Sequence, residues 1–138
     1  MLRPLAAVLA ALTLLPTAAP AVAATPSPRA GLSVIGRWQG KVKDDSGALA
    51  PYQVTVHISR ASSGDLKGKV HYPHCVGTWT YVRTNAGWKV FTEKIIKDPG
   101  LQTCVPRLKA KVKRTQSGGL YVKWVYHQRT DHMMAHRI

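Results

Sequence analysis

The sequence predicts an all-β domain, an antiparallel β-barrel of about seven or eight strands held by one disulfide, with a β-sandwich as the alternative. Three observations predict it. Apolar residues recur with a period of two: Tyr52, Val54, Val56 and Ile58 alternate with Gln53, Thr55, His57 and Ser59. Turn signals fall at regular intervals: Asp44-Asp45-Ser46-Gly47, Ser62-Ser63-Gly64-Asp65, Asn85-Ala86-Gly87, Asp98-Pro99-Gly100 and Ser117-Gly118-Gly119. No stretch after the N-terminus shows a helical period, and many short strands with tight turns suit a barrel or sandwich.

In chain order, Arg3, an apolar run over residues 5–15 and small residues at 18–24 form the three parts of a cleavable secretory signal, residues 1–24. The run is nearer ten residues than the roughly 20 that span a bilayer, so no transmembrane segment is expected in the mature form. No cysteine lies near the cleavage site, which excludes a bacterial lipoprotein. Residues 25–31, with Pro26 and Pro28, read as a flexible leader. The barrel domain is expected over 32–129, with strands near 35–43, 51–60, 66–73, 76–83, 88–96, 106–114 and 119–129. Residues 130–138 are expected as a frayed C-terminal tail.

The signal places the chain outside the cell, where disulfides persist. Cys75 and Cys104 are the only cysteines, and an isolated pair in an exported chain predicts a bond between them. The closed loop would contribute roughly 3.5 kcal/mol by loop entropy.

The charge is lopsided. The chain carries 20 Lys and Arg against 6 Asp and Glu, a net +14, and removal of Arg3 with the signal leaves +13. That balance favours a polyanionic partner: a cell-wall or other acidic polymer, or an acidic protein. Strand 106–114 concentrates it. Arg107, Lys109, Lys111 and Lys113 share one face, about 7 Å apart at twice the strand rise. Lys67 and Lys69, and Lys41 and Lys43, repeat the pattern and would make one basic sheet face if their strands are neighbours; Lys67 and Lys69 join Arg107, Lys109, Lys111 and Lys113 as candidate anion-binding residues. Solvent-facing lysines also guard strand edges, which is the plainer use.

Two resemblances follow. Gly36-Arg37-Trp38 opens the first strand and Arg129 closes the last one expected. This resembles the calycin pattern of lipocalins and avidins, which implies a Trp38 plug at one barrel end with Arg129 packed across its ring. A longer resemblance, over residues 36–126, is to small exported β domains of actinobacteria, including ectodomains of some Ser/Thr kinases. It rests on Gly36, Trp38 and Gly40, then Tyr52, Val54 and Val56, then Gly68, Val70, Tyr72, Pro73, Cys75 and Gly77, then Thr92 and Glu93, Cys104 and Trp124. It implies a fold and an extracytoplasmic place, not a chemistry.

Candidate chemistry is sparse. Glu93 is the only glutamate and shares a face with Phe91 and Ile95, so it needs a partner or a raised pKa. With Tyr72, Trp88 and Trp124 it marks a possible pocket for a small-molecule ligand, unless a nearby Arg or Lys pairs with it. Trp38, Trp88 and Trp124 sit on the apolar phase and are expected in the core; Tyr81 and Tyr121 are expected to be more exposed. His132 and His136, beside Met133 and Met134, are a weak metal candidate that would share a face on a helix. No Gly-x-Ser-x-Gly, His-Glu-x-x-His or glycine-rich phosphate loop occurs. No cofactor and no enzyme activity are therefore expected. The sequence reads as a secreted, non-enzymatic binding module that contacts an anionic polymer through a basic strand face. A carrier of a small ligand inside the barrel, or a secreted enzyme inhibitor, are the alternatives.

Overall fold

A computed structural model of the chain describes residues 33–100 and 104–138. Eight strands follow one another: β1 (Gly36–Asp44), β2 (Tyr52–Arg60), β3 (Leu66–His71), β4 (Val76–Asn85), β5 (Trp88–Lys97), β6 (Arg107–Arg114), β7 (Leu120–Tyr126) and β8 (Arg129–Arg137). Each pairs antiparallel with the next, and β8 returns to pair with β1, so the sheet is a closed barrel. Closure leaves no unpaired sheet edge and rules out the sandwich. The expected signal (1–24) and leader (25–31) lie outside the described residues. Among the described residues no helix is long and apolar enough to cross a membrane.

The turns fall where their chemistry places them. Gly47, Gly64, Gly87, Gly100 and Gly118 all have positive φ, the conformation glycine adopts without steric cost. Two connections have no such marker: Tyr72–Cys75 between β3 and β4, and the turn at His127. The segment expected as one strand over 119–129 bends at His127, a non-glycine residue at φ 49°, and restarts as β8. Residues 130–138 are therefore not a tail: Arg129–Arg137 forms the closing strand, hydrogen-bonded to β7 on one side and β1 on the other.

Alternation then sorts the side chains. Trp38, Val56, Ile58, Val70, Phe91, Val112, Leu120, Val122 and Met133 point inward and are buried. Their outward neighbours, including Arg37, His57, Lys69, Lys109 and Lys113, are exposed. The apolar interior drives folding, at about 1.5–3 kcal/mol for each large side chain fully buried.

One end is plugged. Trp38 Nε1 donates to the Val34 carbonyl at 2.9 Å, and two guanidiniums sit over the indole: Arg114 at 4.6 Å and Arg137 at 5.1 Å from the ring centroid. The arginine expected there, Arg129, is at the opposite end, where it faces Asp44 at 3.7 Å. The β8 arginine over the Trp38 ring is Arg137, not Arg129. Gly36 permits it, because a Cβ at Gly36 would stand 2.6 Å from the Arg137 guanidinium.

Candidate functional site

The other end of the barrel is open. The ends of β1, β3, β5 and β7 and the starts of β2, β4, β6 and β8 surround a cavity of about 440 Å³, within the range of small-molecule sites. The Cys75–Cys104 disulfide forms part of its lip. It ties the connection between β3 and β4 to the segment entering β6. Within that first connection the Tyr72 amide donates to the Cys75 carbonyl at 2.9 Å.

Glu93 lies at the base and is fully buried. Strand pairing explains its position: Glu93 stands opposite Trp79 on β4 and Leu108 on β6, all pointing inward. Its carboxyl group accepts three hydrogen bonds. Tyr72 Oη donates to Oε1 at 2.7 Å, and the indole nitrogens of Trp79 and Trp124 donate to Oε2 at 2.7 and 2.9 Å. The two indoles meet edge to face with centroids 6.2 Å apart. The lysine or arginine partner weighed for Glu93 is not there; among the described residues no cation lies within ion-pair distance of it. Gly77 leaves room for the carboxylate, since a Cβ there would come within 2.8 Å of Oε1.

Burial is the main cause that raises the Glu93 pKa, and its three hydrogen bonds oppose the rise. The Tyr72 hydroxyl is pushed well above its ordinary value by burial and by the adjoining carboxylate. Burial, aided by the surrounding carboxylates, raises Tyr52 to about 12. Asp131 is raised by burial and by Asp44, which faces it directly across β1 and β8. Asp44 itself is held down to about 2, chiefly by hydrogen bonds from Ser46 and then Ala48. The mouth is thus an aromatic and acidic space at one end of a basic protein.

Of the residues expected in a pocket, Glu93, Tyr72 and Trp124 come together and Trp88 does not. Trp88 and Glu93 are five residues apart on one strand, so they point to opposite faces. Trp88 lies on the outer wall, 5.6 Å from the Tyr121 ring, with the Lys113 ammonium 5.3 Å from its ring centroid. Trp79, Tyr52 and Asp131 were not singled out for the pocket. On β4 the phase holding Gly77, Trp79 and Tyr81 competes with Val76, Thr78, Thr80 and Val82, so alternation gives no clear inside. Asp131 fell in the supposed tail. Tyr81 and Tyr121, expected to be the more exposed tyrosines, are both half-buried. The His132–His136 pair lies on β8, where four residues span about 13 Å; the two cannot share a metal, and His132 bonds Asp45 instead.

The outer wall is the second candidate. Arg107, Lys109, Lys111 and Lys113 do share the outward face of β6. Lys111 stands directly opposite Lys123 on β7, and Arg107 opposite Lys94 on β5. Lys123 in turn faces His132, which faces Lys43 on β1. Lys67 and Lys69 do not join this face: β3 pairs with β2 and β4, which flank both lysines with Ser59, His57, Thr80 and Thr78. Five of the six acidic residues keep off the outer wall; the sixth, Asp45, reaches it from the turn after β1, where its carboxylate bonds His132. Asp44, Glu93 and Asp131 lie on the inward phase at the mouth, and Asp45, Asp65 and Asp98 lie in turns. Compared with protein-family models, with curated proteins and with solved structures, the chain finds no match.

Proposed function

We propose that this protein is an exported, non-enzymatic binding barrel that holds an anionic polymer of the cell envelope against the outer wall of β5, β6, β7, β8 and β1. The observation that carries the reading is the direct pairing of like charges there. Lys111 opposes Lys123 and Lys94 opposes Arg107 with no carboxylate at any outward strand position. Like charges directly opposite one another destabilise a sheet, by some tenths of a kcal/mol per pair. A chain of anionic groups lying across the strands relieves that repulsion and releases its own counterions. Trp88 and Tyr121 beside Lys113 add an aromatic step at the edge of the same face.

Elution from a heparin column in a salt gradient tests the reading when two charge-matched variants are compared. Lys111→Gln with Lys123→Gln removes two cations from the proposed face, and Lys67→Gln with Lys69→Gln removes two from the β3 wall. The first pair is expected to elute at clearly lower salt than the second. Equal shifts would reduce the effect to net charge and sink the reading.

A further inference from the structure

The cavity at the open end has a chemistry opposite to that of the outer wall. Its walls include the rings of Tyr52, Tyr72, Trp124 and Tyr126, and Ile95 and Leu108 supply an apolar side. Tyr72 stands between Tyr52 and Trp124, with centroids 6.5 and 6.4 Å away. Ring faces of this kind carry negative quadrupole potential and attract cations.

Two of the polar groups, Glu93 and Asp131, are carboxylates that accept and, when ionised, cannot donate. Glu93 takes hydrogen bonds from three neutral donors, and a carboxylate offers about four acceptor positions, so one on Oε1 is unfilled. Asp131 Oδ1 is buried and has no hydrogen-bond partner among the described residues. A buried acceptor left alone costs about 1–3 kcal/mol, and such orphans in native proteins call for an explanation. The one guanidinium in the lining, Arg129, is 60% exposed and reaches Asp44, not Glu93 or Asp131. Among the described residues no cation forms an ion pair with Glu93 or Asp131, and Arg129 acts on Asp131 only through its field.

We infer that the open end binds a small organic cation: an ammonium group seated between Asp131 and Glu93 against the rings of Tyr72 and Trp124, with an apolar body along Ile95 and Leu108. The ammonium supplies the N–H donors that Asp131 Oδ1 and Glu93 Oε1 lack. It also supplies the positive charge that the aromatic faces and carboxylates favour. A neutral alcohol of the same shape brings one donor and no charge, and an anion meets three carboxylates. This site is independent of the outer wall, because its side chains point to the other face of the sheet.

Isothermal titration, with tryptophan fluorescence as a second readout, tests the inference with three probes of one shape: phenethylammonium, 2-phenylethanol and phenylacetate. The ammonium is expected to bind saturably and at least 10-fold more tightly than the alcohol, with no binding of phenylacetate. Asp131→Asn is expected to weaken the ammonium at least 10-fold while melting cooperatively at or above the wild-type midpoint and eluting from heparin no earlier than wild type. If that variant does not fold, Tyr126→Ala, at the rim, is expected to weaken the same probe. Lys111→Gln with Lys123→Gln is expected to leave the affinity unchanged. Equal affinity for alcohol and ammonium, tighter binding of phenylacetate, no saturable binding of any probe, or an Asp131→Asn protein that binds as wild type would each overturn the proposal.

Discussion

The Arg137 guanidinium lies over the indole of Trp38, 5.1 Å from the ring centroid, and joins the first and last strands across the β1–β8 seam. It also donates to the Ile35 carbonyl, just ahead of β1. Arg137→Ala removes a cation–π contact of about 1 kcal/mol and a hydrogen bond of similar size. The melting midpoint is expected to fall by about 5–10 °C in a domain of this length. Arg129→Ala, which removes only an exposed partner of Asp44, is expected to leave the midpoint within error. A larger loss from Arg129→Ala than from Arg137→Ala would contradict the assignment of the plug.

Glu93 is held by three donors and no cation, so its charge and its hydrogen bonds can be separated. In Glu93→Gln the side-chain oxygen can accept from both indoles, and its NH₂ can donate to the Tyr72 hydroxyl. Glu93→Ala leaves Tyr72 Oη and two indole nitrogens unpaired in a buried place, at a cost of about 1–3 kcal/mol each. The glutamine variant is expected to melt near or above wild type, and the alanine variant to lose at least about 3 kcal/mol. The pH dependence has a definite sign. The folded pKa of Glu93 is raised, so its favourable contribution is complete below the unfolded value near 4.3 and is lost as pH rises through the folded value. The midpoint of Glu93→Gln minus that of wild type should therefore grow from pH 4 to pH 7 in thermal melts. A difference that shrinks over that range would mean the carboxylate is better stabilised inside the barrel than in water.

How much of this was legible depends on which physical signal each residue carried. Period-two runs and glycine turns placed seven of the strands within a few residues of their observed bounds, and the two cysteines announced their bond. The eighth strand was hidden because His127 turns the chain without a glycine. That one omission also misplaced the plug arginine and concealed Asp131. Glu93 stood out as a lone glutamate on an apolar phase. Its partners did not, because two tryptophan nitrogens from β4 and β7 converge on it only once the barrel closes. The cation ladder on β6 was plain in the sequence. Its neighbours were not, since strand adjacency decides that Lys123 faces Lys111 while Lys67 and Lys69 lie elsewhere.

The Cys75–Cys104 bond links the β3–β4 connection to the entry of β6, so it fastens two lips of the mouth. Cys75→Ser with Cys104→Ser releases that constraint and is expected to lower stability by roughly 3.5 kcal/mol, the loop-entropy estimate. A reducing agent should lower the wild-type midpoint toward that of the double variant and leave the double variant unchanged. Denaturant unfolding with and without dithiothreitol makes the measurement. Equal stability of oxidised wild type and the double variant would show that the strand pairing alone holds the lips in place.

Truncation at Arg129 tests whether the last strand is part of the barrel or an addition to it. Removing residues 130–138 deletes nearly all of β8, and with it both the β7–β8 and β1–β8 ladders. Met133 and Ala135, both buried, leave the core. Two edges, on β1 and β7, then expose unpaired backbone groups, which invites aggregation. The expected product is insoluble, or shows no cooperative thermal transition by circular dichroism. A chain that ends at Arg137 keeps every paired residue of β8 and should melt close to wild type, because the residue removed, Ile138, is half exposed and contributes one amide bond to the Arg37 carbonyl. A soluble, cooperatively melting chain ending at Arg129 would show that seven strands suffice and that closure by β8 is not what holds the barrel together.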